Sequence, residues 1–464
     1  MQLLNVLLLS GVGIKIAQFL AALSLLILLH EAGHFFFARL FKTRVEKFYM
    51  FFDFLFPFPG LLNFSLFKKK RGDTEYGIGW FPLGGYVKIA GMVDESMDKE
   101  ALAQPPQPWE FRSKKAWQRL LIMLGGILVN VVVAIFIYAM ILFVYGEKRL
   151  PLAQMKDGIF VADSIGYKLG FETGDRILAI NGKPLQYFDE VMPELLYART
   201  VELERDGREL TLNMPVNFIE QLIDNKSRVI FMSRIPAVIG TVAKGTGAGQ
   251  AGLKAGDRIT AINGSDVPYF DQVKTTLDTL RGRQITLGIV RDEKPLALAV
   301  QVSDSGTLGF LPQEPAPELL EQLGVYQYER KRYGFFESFP AGIRMASDKL
   351  SFYARQFKLF FNPKTGAYKG IGGFAAMTNI FPDYWDWHAF WSITAFFSIV
   401  LAFMNLLPIP GLDGGYVLFI LVEMISGRKV SDKVMEKATA VGLVLLLALM
   451  VYANGMDIFR IFKN

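Results

Sequence analysis

The sequence predicts a multi-pass α-helical membrane protein that carries a large β-rich insert. Three observations predict it. Hydrophobic residues make up 52% of the 464 positions, high for a soluble chain and low for a bare helical bundle. Four apolar runs approach the roughly 20 residues that cross a bilayer. Between the second and third runs, from about residue 146 to 385, strand and turn patterns occur twice in succession.

The first run covers residues about 5–38. Met1-Gln2 lacks the basic start of a cleaved leader and the apolar pattern continues through Leu29, so the run reads as a retained helix. The second run, Leu120 to Tyr145, contains one strongly polar residue, Asn130. The third, from about Trp391 to Leu407, meets Pro408 and Pro410, and Trp385, Trp387 and Trp391 form an interfacial belt at its entry. The fourth is about Val441 to Ile461. Lys and Arg crowd the loop between the first two runs (Lys68 to Arg71 among them) and recur at Arg428, Lys429, Lys433 and Lys437. This bias places both loops in the cytoplasm, and both termini and the insert outside. The net charge of +6 thus reads as attraction to an anionic membrane surface and not as nucleic-acid binding. The absence of cysteine excludes disulfides and thiolate metal sites.

Within the insert, Phe171 to Gly182 (FETGDRILAING) and Leu253 to Gly264 (LKAGDRITAING) are near copies, each followed by Tyr-Phe-Asp. Each copy reads as a Gly-Asp turn, a β-branched strand and an Asn-Gly turn. The pattern resembles PDZ domains, which implies two α+β modules in tandem with an open strand–helix groove. Expected boundaries are a first membrane core at 1–145, PDZ domains at 146–232 and 233–311, a proline hinge and amphipathic helix at 312–388, and a second membrane core at 389–464. The amphipathic stretch, Phe335 to Phe361, suits a helix in the outer interface or one packed on the PDZ pair.

The chemistry concentrates in His30-Glu31-Ala32-Gly33-His34. Histidines at i and i+4 share a helix face and can hold one Zn²⁺ ion, with the intervening Glu31 as general base. Two of the three histidines of the chain lie here, inside an apolar run where ionisable groups are costly and mark function. A catalytic zinc needs a third protein ligand and an open position. Asp413, which follows Asn405-Leu-Leu-Pro408-Ile-Pro410-Gly-Leu, is the candidate. The two prolines free main-chain groups that are tolerated at membrane depth only beside a protein cavity. His388 lies at the opposite end of the third run and belongs to the tryptophan belt.

The His-Glu helix, the Asn405 to Gly414 motif and the inserted repeats occur in the order of the site-2 protease family, and the chain resembles its members with tandem PDZ domains. The block Gly77-Ile-Gly79-Trp-Phe-Pro82-Leu-Gly-Gly-Tyr86-Val-Lys88 is similar to that family's membrane-reentrant β-hairpin. The resemblance implies that His30, His34 and Asp413 ligate zinc and that Glu31 is catalytic. It implies further that Asn405, with Pro408, Pro410, Gly77 and Gly79, holds substrate. It also implies a bacterial inner-membrane enzyme whose site opens toward the cytoplasm and whose PDZ domains are periplasmic. Its substrates would be single-span proteins such as anti-sigma factors, and remnant signal peptides. Tyr416 stands where the family often has histidine, and Gly372-Gly373 where many members have Gly-Pro. The rival reading is a non-proteolytic PDZ scaffold with structural zinc. A metal transporter is disfavoured by too few intramembrane acids, and a soluble zincin by a helix apolar all round.

Overall fold

The computed structural model describes residues 11–55, 61–82, 84–92, 105–226, 229–313 and 316–463. The start of the first expected helix, Leu83 of the hairpin block and positions 314–315 of the hinge lie outside the described residues. Two compact units form. One comprises Met1–Gly146, Arg332–Phe361 and Ile371–Asn464; the other, Glu147–Lys331 and Asn362–Gly370. Residues 316–331 and 362–370 of the expected hinge region therefore belong with the insert.

In the membrane unit, four helices among the described residues are long and apolar enough to cross a bilayer: α1 (Gly11–Leu40), α2 (Ala116–Tyr145), α4 (Trp387–Leu406) and α6 (Asp432–Lys463, apolar over Lys433–Arg460). Helix α2 is central and packs on both α1 and α4. Its contact with α1 is unusually close, because a Cβ on Gly33 would lie 2.3 Å from the Gly125 carbonyl oxygen. Glycine at both places lets the backbones touch. The chain leaves α2 at Gly146, whose φ of 71° suits glycine. A short apolar helix, α5 (Asp413–Ser426), follows α4 after the two prolines and Gly411. Tyr416, Val417 and Ile420 of α5 pack with Ala38, Ile122 and Met123. An ion pair of 2.5 Å between Arg119 and Glu423 ties α5 to the start of α2.

The amphipathic stretch forms α3 (Phe335–Phe360). Its aromatic stripe meets spans: Phe335 lies on Phe143, and Tyr353 and Phe357 on Phe403. The described packing partners of α3 are α2 and α4, because its aromatic face matches their apolar sides. His388 packs edge-on against Tyr145, with ring centroids 4.7 Å apart, as expected of a residue in the aromatic belt.

Among the described residues, four strands stand between α1 and α2: β1 (Val45–Tyr49), β2 (Ser65–Arg71), β3 (Thr74–Gly79) and β4 (Tyr86–Ile89), in the order β2-β3-β1-β4. The expected hairpin is β2–β3. It is half of a larger sheet in which β1 pairs parallel to β3 and antiparallel to β4.

The insert holds two β-rich subdomains. In the first, Arg208–Asn213, Thr200–Arg205, Arg176–Ile180 and Lys183–Pro184 are neighbours in that order. In the second the path is Lys294–Gln301, Gln284–Arg291, Arg258–Ile262, Ala237–Val242 and Phe310–Pro312. Both Asn-Gly turns form, with positive φ at Asn181-Gly182 and Asn263-Gly264, as a two-residue type I′ hairpin requires. Each subdomain has its own core, around Phe171, Ile177 and Leu203 in one and Ile239, Ile259 and Leu287 in the other.

Candidate metal centre

Helical spacing puts His30 and His34 on the face of α1 that meets α2. Both are buried. A Cβ at Gly126 would lie 2.5 Å from both His30 Cε1 and His34 Nε2, so any larger residue there would invade the site. Asp413 opens α5, where the helix N-terminus favours a carboxylate.

The three side chains converge. Asp413 Oδ2 lies 3.2 Å from His30 Nε2 and 3.2 Å from His34 Nε2, and the two Nε2 atoms are 3.3 Å apart. This near-equilateral triangle matches one face of a tetrahedral zinc site, where bonds of about 2.0 Å set neighbouring ligand atoms roughly 3.3 Å apart. Asp413 Oδ2 is buried without an aligned hydrogen bond, so its lone pairs, like those of both Nε2 atoms, face a common point. Donor set, spacing and the unsatisfied carboxylate oxygen all fit one divalent ion with a fourth position open. It is the one such His/Asp/Glu group among the described residues.

Helix α2 fixes how the imidazoles present themselves. His34 Nδ1 donates to the Ile122 carbonyl at 2.8 Å, leaving Nε2 free to ligate. The Asn130 amide faces His30 Nδ1 at 3.1 Å. Turning that amide brings Oδ1, which otherwise has no partner, onto the Nδ1–H that an Nε2-ligating imidazole must carry. The sequence offered a signal for Asn130: it is the one strongly polar residue of its span. The Ile122 carbonyl carries no sequence signal, since any residue has one.

Glu31 sits one position on from His30, half-buried, at the wall of a cavity of about 570 Å³ that also contains the three candidate ligands. Its carboxylate lies within electrostatic reach of His30, His34 and Asp413, and the Val87 main chain of β4 offers it a hydrogen bond. Gly85 to Ile89, Tyr49, Tyr416 and Thr439 line the same cavity. The buried Thr439 hydroxyl, from α6, has no partner among the described residues; the motifs did not mark it, whereas the start of β4 falls within the hairpin block.

Other expected substrate-binding residues fall elsewhere. Gly77 and Gly79 lie on β3, which is paired on both sides, by β2 and β1. Gly77 pairs with both Tyr49 and Lys68 and Gly79 with Ser65, and their missing side chains admit the Tyr49 ring and the Phe52 backbone. Among the described residues, the strands that have an unpaired edge and also line the cavity are β2, through Ser65 and Lys68, and β4, through Tyr86 to Ile89. Asn405 ends α4 and is half-buried, and Pro408 and Pro410 shape the turn into α5. Of that turn, the cavity wall takes Gly411, Leu412 and Asp413.

Comparison with known proteins agrees with this geometry. The chain is 28% identical to the regulator of sigma-E protease RseP of Escherichia coli (strain K12), across 97% of this chain and 98% of that protein. It is 27% identical to the regulator of sigma E protease of Haemophilus influenzae, across 96% and 99%. A Neisseria meningitidis protein provisionally named a zinc metalloprotease is 27% identical, across 96% and 98%. The profile of peptidase family M50 matches residues 18–449. Because that match runs through both the helix bearing His30 and His34 and the turn bearing Asp413, the chain belongs to peptidase family M50, the site-2 protease family.

Proposed function

We propose that this chain is an intramembrane zinc metalloprotease that hydrolyses peptide bonds in or near the transmembrane segments of single-span proteins. The observation that carries the reading is the convergence of His30, His34 and Asp413 beside Glu31, on helices of spanning length. A zinc ion held by His30, His34 and Asp413 would supply polarisation of the scissile carbonyl and an acidified water. Glu31, beside the three candidate ligands, is placed to take a proton from the attacking water and pass it to the leaving amine. Asn130 and the Ile122 carbonyl hold the two imidazoles in ligating orientation. A substrate helix must unwind before its carbonyls are accessible, and the open edge of β4 offers main-chain partners for an extended segment beside Glu31.

The finer reading places the protein in a bacterial inner membrane. The cationic loops face the cytoplasm, and the termini and the insert the periplasm. The sigma-E regulators among the relatives support membrane-bound anti-sigma factors as substrates. The two insert subdomains, with their matching Asn-Gly turns, fit a tandem PDZ reading. Such a pair would bind peptide ends or exclude substrates with bulky external domains.

The test is cleavage of a single-span substrate by reconstituted protein. Wild type should cut; Glu31→Gln and chelator-treated protein should not; zinc should restore the latter. Equal cleavage in all three would remove the proposal. Cellular function that survives Glu31→Gln would favour a scaffold with structural zinc.

A further inference from the structure

Strand β2 forms an edge of the four-stranded sheet, and every residue from Leu66 to Arg71 is exposed. Its two halves differ. Leu61, Leu62, Phe64, Leu66 and Phe67 present exposed apolar side chains. Lys68, Lys69, Lys70 and Arg71 follow as four consecutive cations, and among the described residues none of the four has an acidic partner. Lysines on an edge strand can simply discourage strand-to-strand association. That purpose does not explain why the apolar half of the same edge is left bare.

The register of the sheet relates this gradient to α1. Arg71 pairs with Thr74, whose hydroxyl donates to the Val45 carbonyl at 2.7 Å, just beyond the end of α1 at Leu40. Ser65 pairs with Gly79, which abuts the Phe52 main chain. At this deeper end of the sheet Gly85 touches Ile27 of α1, about one turn before His30. Over its length of roughly 20 Å, β2 therefore runs from the level of the α1 terminus inward past the level of the metal ligands. Apolar residues lie at the deep end and cations at the shallow one. This is the polarity profile of a bilayer leaflet, with guanidinium and ammonium groups at headgroup height.

We propose that the Lys68–Arg71 end of β2 binds anionic phospholipid headgroups, and that this contact sets the depth at which the sheet meets the membrane. Anionic lipid is the occupant because four consecutive cations, with only Glu75 opposite Lys70 and Asp73 in the adjoining turn among the described residues, leave net positive charge that a diffuse negative surface neutralises. Each raises local occupancy at such a surface roughly fivefold. The inference does not depend on the metal centre.

The absence of native cysteine makes the test clean. A nitroxide at Asp73→Cys, in the exposed β2–β3 turn, reports depth through its collisions with a water-soluble nickel chelate. The full chain is compared in nanodiscs of phosphatidylcholine alone and with phosphatidylglycerol added. Nickel access should fall at least about threefold with the anionic lipid and recover at 0.5 M salt, since the attraction is screened. Lys69→Gln/Lys70→Gln/Arg71→Gln should remove the response, and Lys69→Arg/Lys70→Arg should keep it, with unchanged circular dichroism in both. Equal access in the two lipids, or a full response from the triple glutamine variant, would overturn the proposal. So would protection in neutral discs by an acidic peptide alone, which would assign the surface to a protein partner.

Discussion

Aspartates with buried carboxylate oxygens occur in both units, and Asp413 differs from the rest: even Asp457 of the membrane unit, 6% exposed, is closed off by the Gly373 and Ala376 N–H groups and Arg460. In the insert, Asp175 and Asp257 occupy the same place in the two repeats, at 0% and 1% exposure. Each is closed off by one arginine from the same subdomain. Arg205 reaches Asp175 at 2.7 Å, and Arg291 reaches Asp257 at 2.6 Å. Main-chain N–H groups of Glu172 and Lys254 complete the sets at 2.8 Å. In the membrane unit, Asp413 Oδ2 is buried without an aligned donor among the described residues and faces two imidazoles. A buried carboxylate with a closed partner set is a structural clamp. One whose partners all direct a lone pair at a shared point is built for a ligand.

The comparison can be tested at both ends. The largest effect is expected from Glu31→Gln, which should lower cleavage by about 10³-fold or more while bound zinc, measured by mass spectrometry, stays near one per chain. Loss of zinc in that variant would move Glu31 from the reaction into the ligand set. Asp413→Ala should cost most of the bound zinc, because two imidazoles alone make a weak site. Full zinc occupancy would break the contrast with the insert carboxylates.

In the insert, Arg291→Ala leaves Asp257 buried and unpaired, at a cost of about 3 kcal/mol. Hydrogen exchange of the Gln284–Arg291 strand should accelerate roughly a hundredfold, with zinc content unchanged. Asn130→Ala should weaken zinc affinity about tenfold, as loss of a group that orients a ligating histidine does. Asn130→Asp should recover much of the affinity, because a carboxylate also accepts from His30 Nδ1. The smallest effect concerns pH. Burial pushes the Asp257 carboxyl up, but the Arg291 guanidinium and the Lys254 amide outweigh it and hold the group below its usual range. A depressed carboxylate contributes stability that is present above the ordinary carboxylate range and is lost as pH falls through the lowered value. Protection of Arg258–Ile262 should thus be level near neutrality and decline below about pH 4, and Arg291→Ala should flatten that decline.

Much of the molecule was legible in the residues themselves. Length and apolarity dictate the four spans, because lipid leaves a backbone no partner but its own helix. The i, i+4 spacing dictates that His30 and His34 share a face, and the Asn-Gly pairs dictate two hairpin turns, since both depend on a few adjacent residues. Asp413 could be chosen as the third ligand because a carboxylate beside broken backbone at membrane depth has few other uses. Contacts between distant segments were not legible. That Gly126 makes room for both imidazoles, that Asn130 and the Ile122 carbonyl orient them, and that β4 rather than β3 offers an open edge all follow from how α1, α2 and the sheet pack. A strand's pattern tells which of its faces is apolar, but only the assembled sheet decides which of its edges remains unpaired.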